Sequence, residues 1–190
     1  MAPKSLNRPI NLLVEDELIL KEVHLRDADT IFSIIDAERE TLKEWLPFVV
    51  FTRHPGDTMS FIRSLSEGPI DRRDLVFTIQ YQGKIIGLMG LKSTDWTNHK
   101  TEIGYWLSEK YQGKGIATKS CKRLIQFVFE GLGLNRIQIK AATNNHKSQQ
   151  IPKRLGFTFE GTERAGELLL TGFTDLAVYS LLKDEFSGTE

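Results

Sequence analysis

The sequence has a single cysteine, Cys121, among 190 residues. A lone cysteine cannot close an intrachain disulfide, which fits a reducing compartment. No apolar run approaches the roughly 20 residues that span a bilayer, so no membrane partner is expected. Neither sign of charge is in excess: 25 Lys and Arg stand against 25 Asp and Glu. Without a net field the chain has no general pull toward nucleic acid or a charged membrane surface. The four histidines, His24, His54, His99 and His146, are scattered and lack ligand spacing, so no metal is expected. Repeats, low-complexity tracts and linkers are missing. The opening segment, Met1 to Pro9, carries charge and two prolines ahead of any apolar run, so it does not read as a signal peptide. These absences leave a cytoplasmic protein of one domain, residues 1–190, as the expectation.

What is present can build a core, since 40% of residues are hydrophobic. Strand-like runs occupy Ile10–Val14 and Leu18–Leu25. Arg26-Asp27-Ala28-Asp29 offers a helix cap, followed at helical spacing by Ile31, Ile34, Ile35 and Glu38. Asp57 suits the cap of a second helix with Phe61, Ile62 and Leu65 on its apolar side and Gly68-Pro69 as its stop. The period then changes to that of strands: Leu75–Tyr81, a turn at Gln82-Gly83-Lys84, Ile85–Leu91, and Glu102–Leu107 after a polar connection. Gly87 and Gly90 point to a bulge or a close neighbour. A long helix follows, with Ala117, Cys121, Leu124, Ile125, Val128 and Phe129 on one stripe and Gly131 and Gly133 at its end. Cys121 on that stripe reads as core. Arg136–Ala141 alternates as a strand, Asn144-Asn145-His146 caps a short helix ending at Gly156, and strands start at Phe157 and Leu176. The order predicts a mixed α/β (α+β) domain with a mostly antiparallel sheet.

Between the third meander strand and the long helix lies Gln112-Gly113-Lys114-Gly115-Ile116-Ala117. The first turn of a helix has amides without internal partners and a partial positive charge. Glycines let that backbone approach an anion, and a pyrophosphate fits such a place. Lys114 and Lys119 add charge nearby. A Gly-Lys-Gly turn also occurs as a plain turn. The spacing is neither that of a P-loop nor of a dinucleotide fingerprint. Lys114, Lys119, Lys122 and Arg123 do not make a nucleic-acid surface, because the net charge is zero and no aromatics interleave them.

This hexapeptide matches the Gln/Arg-x-x-Gly-x-Gly/Ala signature, and the chain resembles the GNAT superfamily of N-acetyltransferases over roughly Leu12 to Phe186. The strand Glu102-Ile103-Gly104-Tyr105-Trp106-Leu107, the segment Asn145-His146-Lys147-Ser148 and the pair Gly156-Phe157 sit where that family has them. Trp45-Leu46-Pro47, Gly104-Tyr105-Trp106-Leu107 and Gly172-Phe173-Thr174-Asp175 with Tyr179 are similar to the branch that acetylates the N-termini of ribosomal proteins.

The resemblance implies a GNAT fold with a splayed central strand pair and flanking helices, and acetyl-CoA as co-substrate without a metal. Trp106, Leu107 and Ser108 are then expected to offer backbone groups to the pantetheine arm, with the Leu107 amide as donor to the thioester oxygen. Gln112, Gly113, Lys114, Gly115, Ile116 and Ala117 hold the pyrophosphate, and Asn145 contacts the arm near its sulfur. Glu102 is the first candidate for general base, with a plain strand carboxylate as the alternative. Glu167 is the second, although one more residue than the family pattern separates it from Gly172; its alternative is a loop charge. Many members carry a tyrosine as acid four residues before the Gly-Phe pair. Here that position is Pro152, and Ser148 is the expected substitute. Trp45 and Phe48 are candidates for lining the acceptor pocket, or for packing. Tyr105 and Trp106 alternate across the sheet, so one faces core. The expected acceptor is a primary amine, foremost a protein N-terminus; a homodimer is compatible with this reading. A small amine such as a polyamine, an amino acid or an aminoglycoside is the competing acceptor, and a non-catalytic CoA-binding module the competing class.

Overall fold

The computed structural model describes residues 9–66 and 74–187. Among these residues eight strands form one sheet in the order β1-β2-β3-β4-β5-β6-β8-β7. The hairpin β1 (Asn11–Glu15) and β2 (Leu18–Glu22) leads to helices α1 (Ala28–Ala37), α2 (Arg39–Leu42) and α3 (Pro55–Ser66). The meander is β3 (Leu75–Tyr81), β4 (Lys84–Asp95) and β5 (Lys100–Leu107). Then come α4 (Ile116–Gln126), β6 (Arg136–Ala142), α5 (His146–Arg154), β7 (Thr158–Leu169) and β8 (Gly172–Leu182). Among the described residues no helix is long and apolar enough to cross a membrane.

Several boundaries differ from the sequence expectation for local reasons. β2 stops at Glu22 rather than Leu25, because His24 and Asp27 close a capping box. The Asp27 carboxylate accepts from the His24 amide at 2.8 Å, and Leu25 turns outward, 41% exposed. Asp57 sits inside the first turn of α3 rather than before it, with Oδ2 accepting from the Arg53 and His54 amides at 2.8 and 3.0 Å. Phe61 is exposed; Ile62 carries that turn into the core, with Met59 packed beside it. The expected stop at Gly68-Pro69 lies outside the described residues. The long helix ends in a π-turn over Phe127–Gly131, where the Leu132 amide reaches back to the Phe127 carbonyl.

The sheet is covered on both faces. Ile31 and Ile35 of α1 with Leu42, Ile62, Leu88 and Trp106 pack on one side. Cys121, Leu124 and Ile125 of α4 with Phe77, Ile79, Ile103, Leu107 and Ile137 pack on the other. Neighbouring side chains on a strand point to opposite faces, so Trp106 joins the first cluster and Leu107 the second. Tyr105 packs against the second. The two meander glycines answer close neighbours: a Cβ at Gly87 would collide with the Trp106 carbonyl, and one at Gly90 would stand 2.7 Å from the Leu75 carbonyl oxygen. A bulge at Ile86, between Gly87 and Ile85 in the β3 register, accompanies them.

The feature that matters most lies between β5 and β6. Every other neighbouring pair is antiparallel; these two are parallel and pair only over Lys100–Glu102 with Arg136–Gln138. Beyond Glu102 they separate, while β5 stays zipped to β4 as far as the Gly87–Leu107 pair. The expected splay is therefore present, and its vertex is Glu102.

Candidate active site

The register decides which backbone groups face the splay. The Ser108 amide donates to the Ile86 carbonyl of β4 at 2.8 Å. In an antiparallel ladder such pairs alternate, so Trp106 and Gly104 also turn toward β4. Ile103, Tyr105 and Leu107 turn their amides and carbonyls to the unpartnered edge. Of the three residues read from sequence as backbone contacts for a pantetheine arm, Leu107 presents its amide there. Trp106 and Ser108 present theirs to β4. Tyr105, one step nearer the vertex, shares the open edge and escaped the sequence reading. Gln112 folds back, and its Nε2 donates to the Leu107 carbonyl at 3.0 Å. Ser108 is buried, and its hydroxyl donates at 2.5 Å to Glu38 Oε1, whose other oxygen accepts from the Glu109 amide at 2.9 Å. Glu38, at the end of α1, thus pins the end of β5.

The glycine turn follows at once. Gly113 and Gly115 have φ of +74° and +75°, which only glycine adopts without strain, and a Cβ built on either meets nothing within 4 Å. Gly115 is the N-cap of α4 and makes no side-chain cap bond. The first backbone bond of the helix is Lys119 to Gly115, so the amides of Ile116, Ala117 and Thr118 have no partner within the helix. This backbone fits a diphosphate. Lys119, expected to serve it, is instead paired with Glu15 of β1 at 2.7 Å. Lys110 and Lys114 both lie over the Tyr111 ring, 5.2 and 5.4 Å from its centroid.

On the other wall of the splay stands the start of α5. Asn145 is its N-cap, its side-chain oxygen accepting from the Ser148 amide at 3.1 Å. The Ser148 hydroxyl donates to the Tyr105 hydroxyl at 3.3 Å. Burial pushes the Tyr105 phenol up, with the nearby Cys121 adding to it, so the phenol stays protonated at neutral pH. Cys121 is wholly buried and its thiol is pushed up to about 12 by that burial, as suits a core residue.

The carboxylates meet at the vertex. Lys92 of β4 bridges Glu102 of β5 at 2.8 Å, the Glu102 side chain being only 16% exposed. Glu167 arrives from β7 through an irregularity: the five residues Glu163 to Glu167 of β7 lie opposite three of β8, Thr174 to Leu176. Ala165 takes φ of +50° there, and its amide donates to Asp175 Oδ1 at 2.8 Å. Such bulges re-aim side chains. Glu167 lies close enough to Lys92 and Glu102 to feel both. Burial raises the Glu167 carboxyl above the usual range, Lys92 opposes that, and Glu102 adds to it. Asp74 is raised by burial as well, against the Ser93 amide that donates to it at 3.0 Å and the same Lys92. Both sequence candidates for the base are thus brought together around a lysine that the sequence reading missed. Nothing local in the sequence couples residues 92, 102 and 167; only the sheet register and the bulge do.

Past Glu167, the β7–β8 tip faces the α1–α2 region. A groove of about 450 Å³ is lined by Asp36, Arg39, Glu40 and Lys43, by Val49, Val50 and Arg53, and by Leu170 of the tip. Its charges are largely paired with one another: Arg39 with Asp36 at 2.9 Å and Lys43 with Glu40 at 2.5 Å. Arg39 also donates to the Val49 and Thr52 carbonyls, which fixes the groove wall. Neither sequence candidate for the acceptor pocket lines the groove: Phe48 is exposed on the turn Pro47–Val50 and Trp45 is half-buried. Among the described residues no cluster of three or more His, Cys, Asp or Glu has a geometry for a metal.

Comparison with known proteins agrees with this layout. YdaF of Bacillus subtilis (strain 168), a candidate ribosomal N-acetyltransferase by name, is 33% identical over 179 residues, covering 92% of this chain and 96% of its own. The crystal structure of the Microcin C7 self-immunity acetyltransferase MccE, in complex with acetyl-CoA and AMP, superposes with a TM-score of 0.84 at 30% identity, over 89% of this chain and 94% of that one. RimL, a ribosomal L7/L12 α-N-protein acetyltransferase solved with coenzyme A, shares the fold with a TM-score of 0.88 at 21% identity, over 93% of this chain and all of that one. The family model of the acetyltransferase (GNAT) domain matches residues 17–158. Open strand edge, glycine cradle and family match converge: the chain belongs to the GNAT acetyltransferases and is an enzyme that takes its acetyl group from acetyl-CoA.

Proposed function

We propose that the acceptor is the N-terminal α-amine of a protein, a ribosomal protein being the class that the name of the Bacillus relative suggests. The observation that carries this reading is Glu167: a partly buried carboxylate with a raised pKa, near the Lys92–Glu102 pair at the splay vertex, on the same hairpin whose Leu170 lines an open groove. An open groove suits a peptide end. Its self-paired charges give little attraction to a polycation.

Acetyl-CoA supplies an activated carbonyl carbon whose bond to sulfur breaks as the bond to the amine nitrogen forms. The chain's own residues do the rest. The open-edge amides of Leu107 and Tyr105 are donors for the carbonyl oxygen as negative charge grows on it. Glu167 takes the proton that the nitrogen must lose, directly or through one water. Its raised pKa suits a proton acceptor, while the Glu102 carboxylate is engaged by Lys92 at 2.8 Å. The Ser148 hydroxyl turns its one hydrogen from the Tyr105 oxygen to the departing thiolate, and the protons balance through solvent: Glu167 releases the one taken from the amine and the thiolate acquires one. An α-amine has a pKa of about 7.7–8.0 against about 10.4 for lysine. At neutral pH roughly a tenth of it is already neutral, so the base has little to do.

The test is thiol release from acetyl-CoA against peptides with free and blocked N-termini, lysine-containing peptides, polyamines and amino acids. Release with free N-termini and none with blocked ones is expected. Turnover restricted to polyamines or amino acids would overturn the peptide reading.

A further inference from the structure

Helix α5 carries a proline at Pro152. An α-helix joins each amide to the carbonyl four residues back, so the helical partner of residue 152 is the carbonyl of Ser148. Proline has no amide hydrogen to give it. The Tyr105 hydroxyl supplies one instead. It donates to the Ser148 carbonyl oxygen at 3.0 Å, from a strand 43 residues earlier in the chain. The Ser148 hydroxyl donates back to the Tyr105 oxygen at 3.3 Å, and Asn145 holds the Ser148 amide at 3.1 Å. Ser148 is therefore gripped at its amide, its carbonyl and its side chain. Two of those contacts come from one phenol on the open edge of β5. A partly buried carbonyl without a donor is unfavourable, so the phenol and the proline belong together.

We propose that Tyr105 is a positioning residue for Ser148: it stands in for the amide that Pro152 lacks and so holds the Ser148 hydroxyl at the sulfur end of the splay. Tyr105 does not touch the reacting atoms through its phenol; it acts by fixing the first turn of α5. The inference rests on the reading of Ser148 as the partner of the departing thiolate.

The experiment uses the full chain as wild type, Tyr105→Phe, Pro152→Ala and the double variant. Steady-state kinetics by thiol release and amide hydrogen exchange in the first turn of α5 are measured on each. Tyr105→Phe is expected to lower kcat about tenfold, a loss of about 1.4 kcal/mol in the barrier, while KM for acetyl-CoA stays within about twofold. Exchange at the Ser148 and Gln149 amides should quicken. Pro152→Ala in the same chain restores an amide for the Ser148 carbonyl and should recover most of kcat and of the protection. A wild-type kcat in Tyr105→Phe together with unchanged exchange overturns the proposal, as does a tenfold loss that the double variant retains. The Pro152→Ala background keeps the test decisive if Tyr105→Phe alone does not fold. There, adding Tyr105→Phe should cost less than about twofold, and a larger loss counts against the proposal. Exchange that responds as expected while kcat does not upholds the positioning and overturns the role of Ser148.

Discussion

The two ends of the proposed site are built from different materials. The donor end is backbone: the open edge of β5, two left-handed glycines and the first turn of α4, all backed by the buried stripe of Cys121, Leu124 and Ile125. The acceptor end is side chain: Glu102, Lys92 and Glu167 at the vertex, then a groove shared between the α1–α2 region and a hairpin whose Leu168, Leu170 and Phe173 are exposed. A backbone cradle recognises what every donor molecule has in common. A side-chain groove on a projecting hairpin can change without disturbing the sheet, so it is where members of one fold diverge in acceptor.

If the division holds, substitutions at the two ends should separate cleanly. The largest effect is expected from Gly115→Glu. A left-handed position costs an ordinary residue about 1–2 kcal/mol, and a carboxylate faces the anion as well, so affinity for acetyl-CoA should fall about a hundredfold or more. Calorimetry on a folded variant checks this, and unchanged affinity would remove the glycine turn from the site. Next is Glu167→Gln, where kcat should fall by tens of fold, at the low end of the roughly 10²–10⁴ range for general bases, with acetyl-CoA affinity intact. The same variant should melt slightly higher at neutral pH. A carboxyl with a raised folded pKa favours its protonated form in the fold, so its contribution is present below the unfolded pKa and is lost as pH rises through the folded one.

The vertex itself gives a sharper test, through pH. Lys92 opposes protonation of Glu167 and Glu102 favours it. Lys92→Met should therefore move the acidic limb of the rate profile to higher pH, and Glu102→Gln should move it lower. If Glu102 were the base, Glu102→Gln would abolish the limb instead. The smallest effect is expected at Leu170→Ala: a few-fold rise in KM for a peptide acceptor, with KM for acetyl-CoA unchanged. A rise in both would mean that the groove and the donor site are not separable.

The same division explains what could be read from sequence. The glycine turn, the amphipathic stripe and the meander are local patterns, and local patterns carry the donor end. Even there, which β5 residues face the splay depended on the Ser108–Ile86 bond, so Tyr105 went unnoticed beside Leu107. Lys119 looked like a phosphate ligand because it lies one turn into α4; its partner Glu15 is 104 residues away. The acceptor end depends on contacts of this kind throughout. Glu167 reaches Glu102 only because β7 bulges at Ala165 and runs past the end of β6. The segment from Glu167 to Gly172, where one extra residue made Glu167 look like a loose match to the family, pairs in register with β8; the irregularity precedes it.

The short seam between β5 and β6 has a consequence for folding as well. From Ile103 to Leu107 one edge of a central strand has no strand beside it. A molecule that pairs with such an edge acts as a removable ninth strand, and the sheet is complete only while it is there. Its binding energy is then part of the stability of the fold: at a hundredfold excess over its dissociation constant a ligand adds about 2.7 kcal/mol. Supply of the donor would in that way set how long the protein survives, as well as how fast it works.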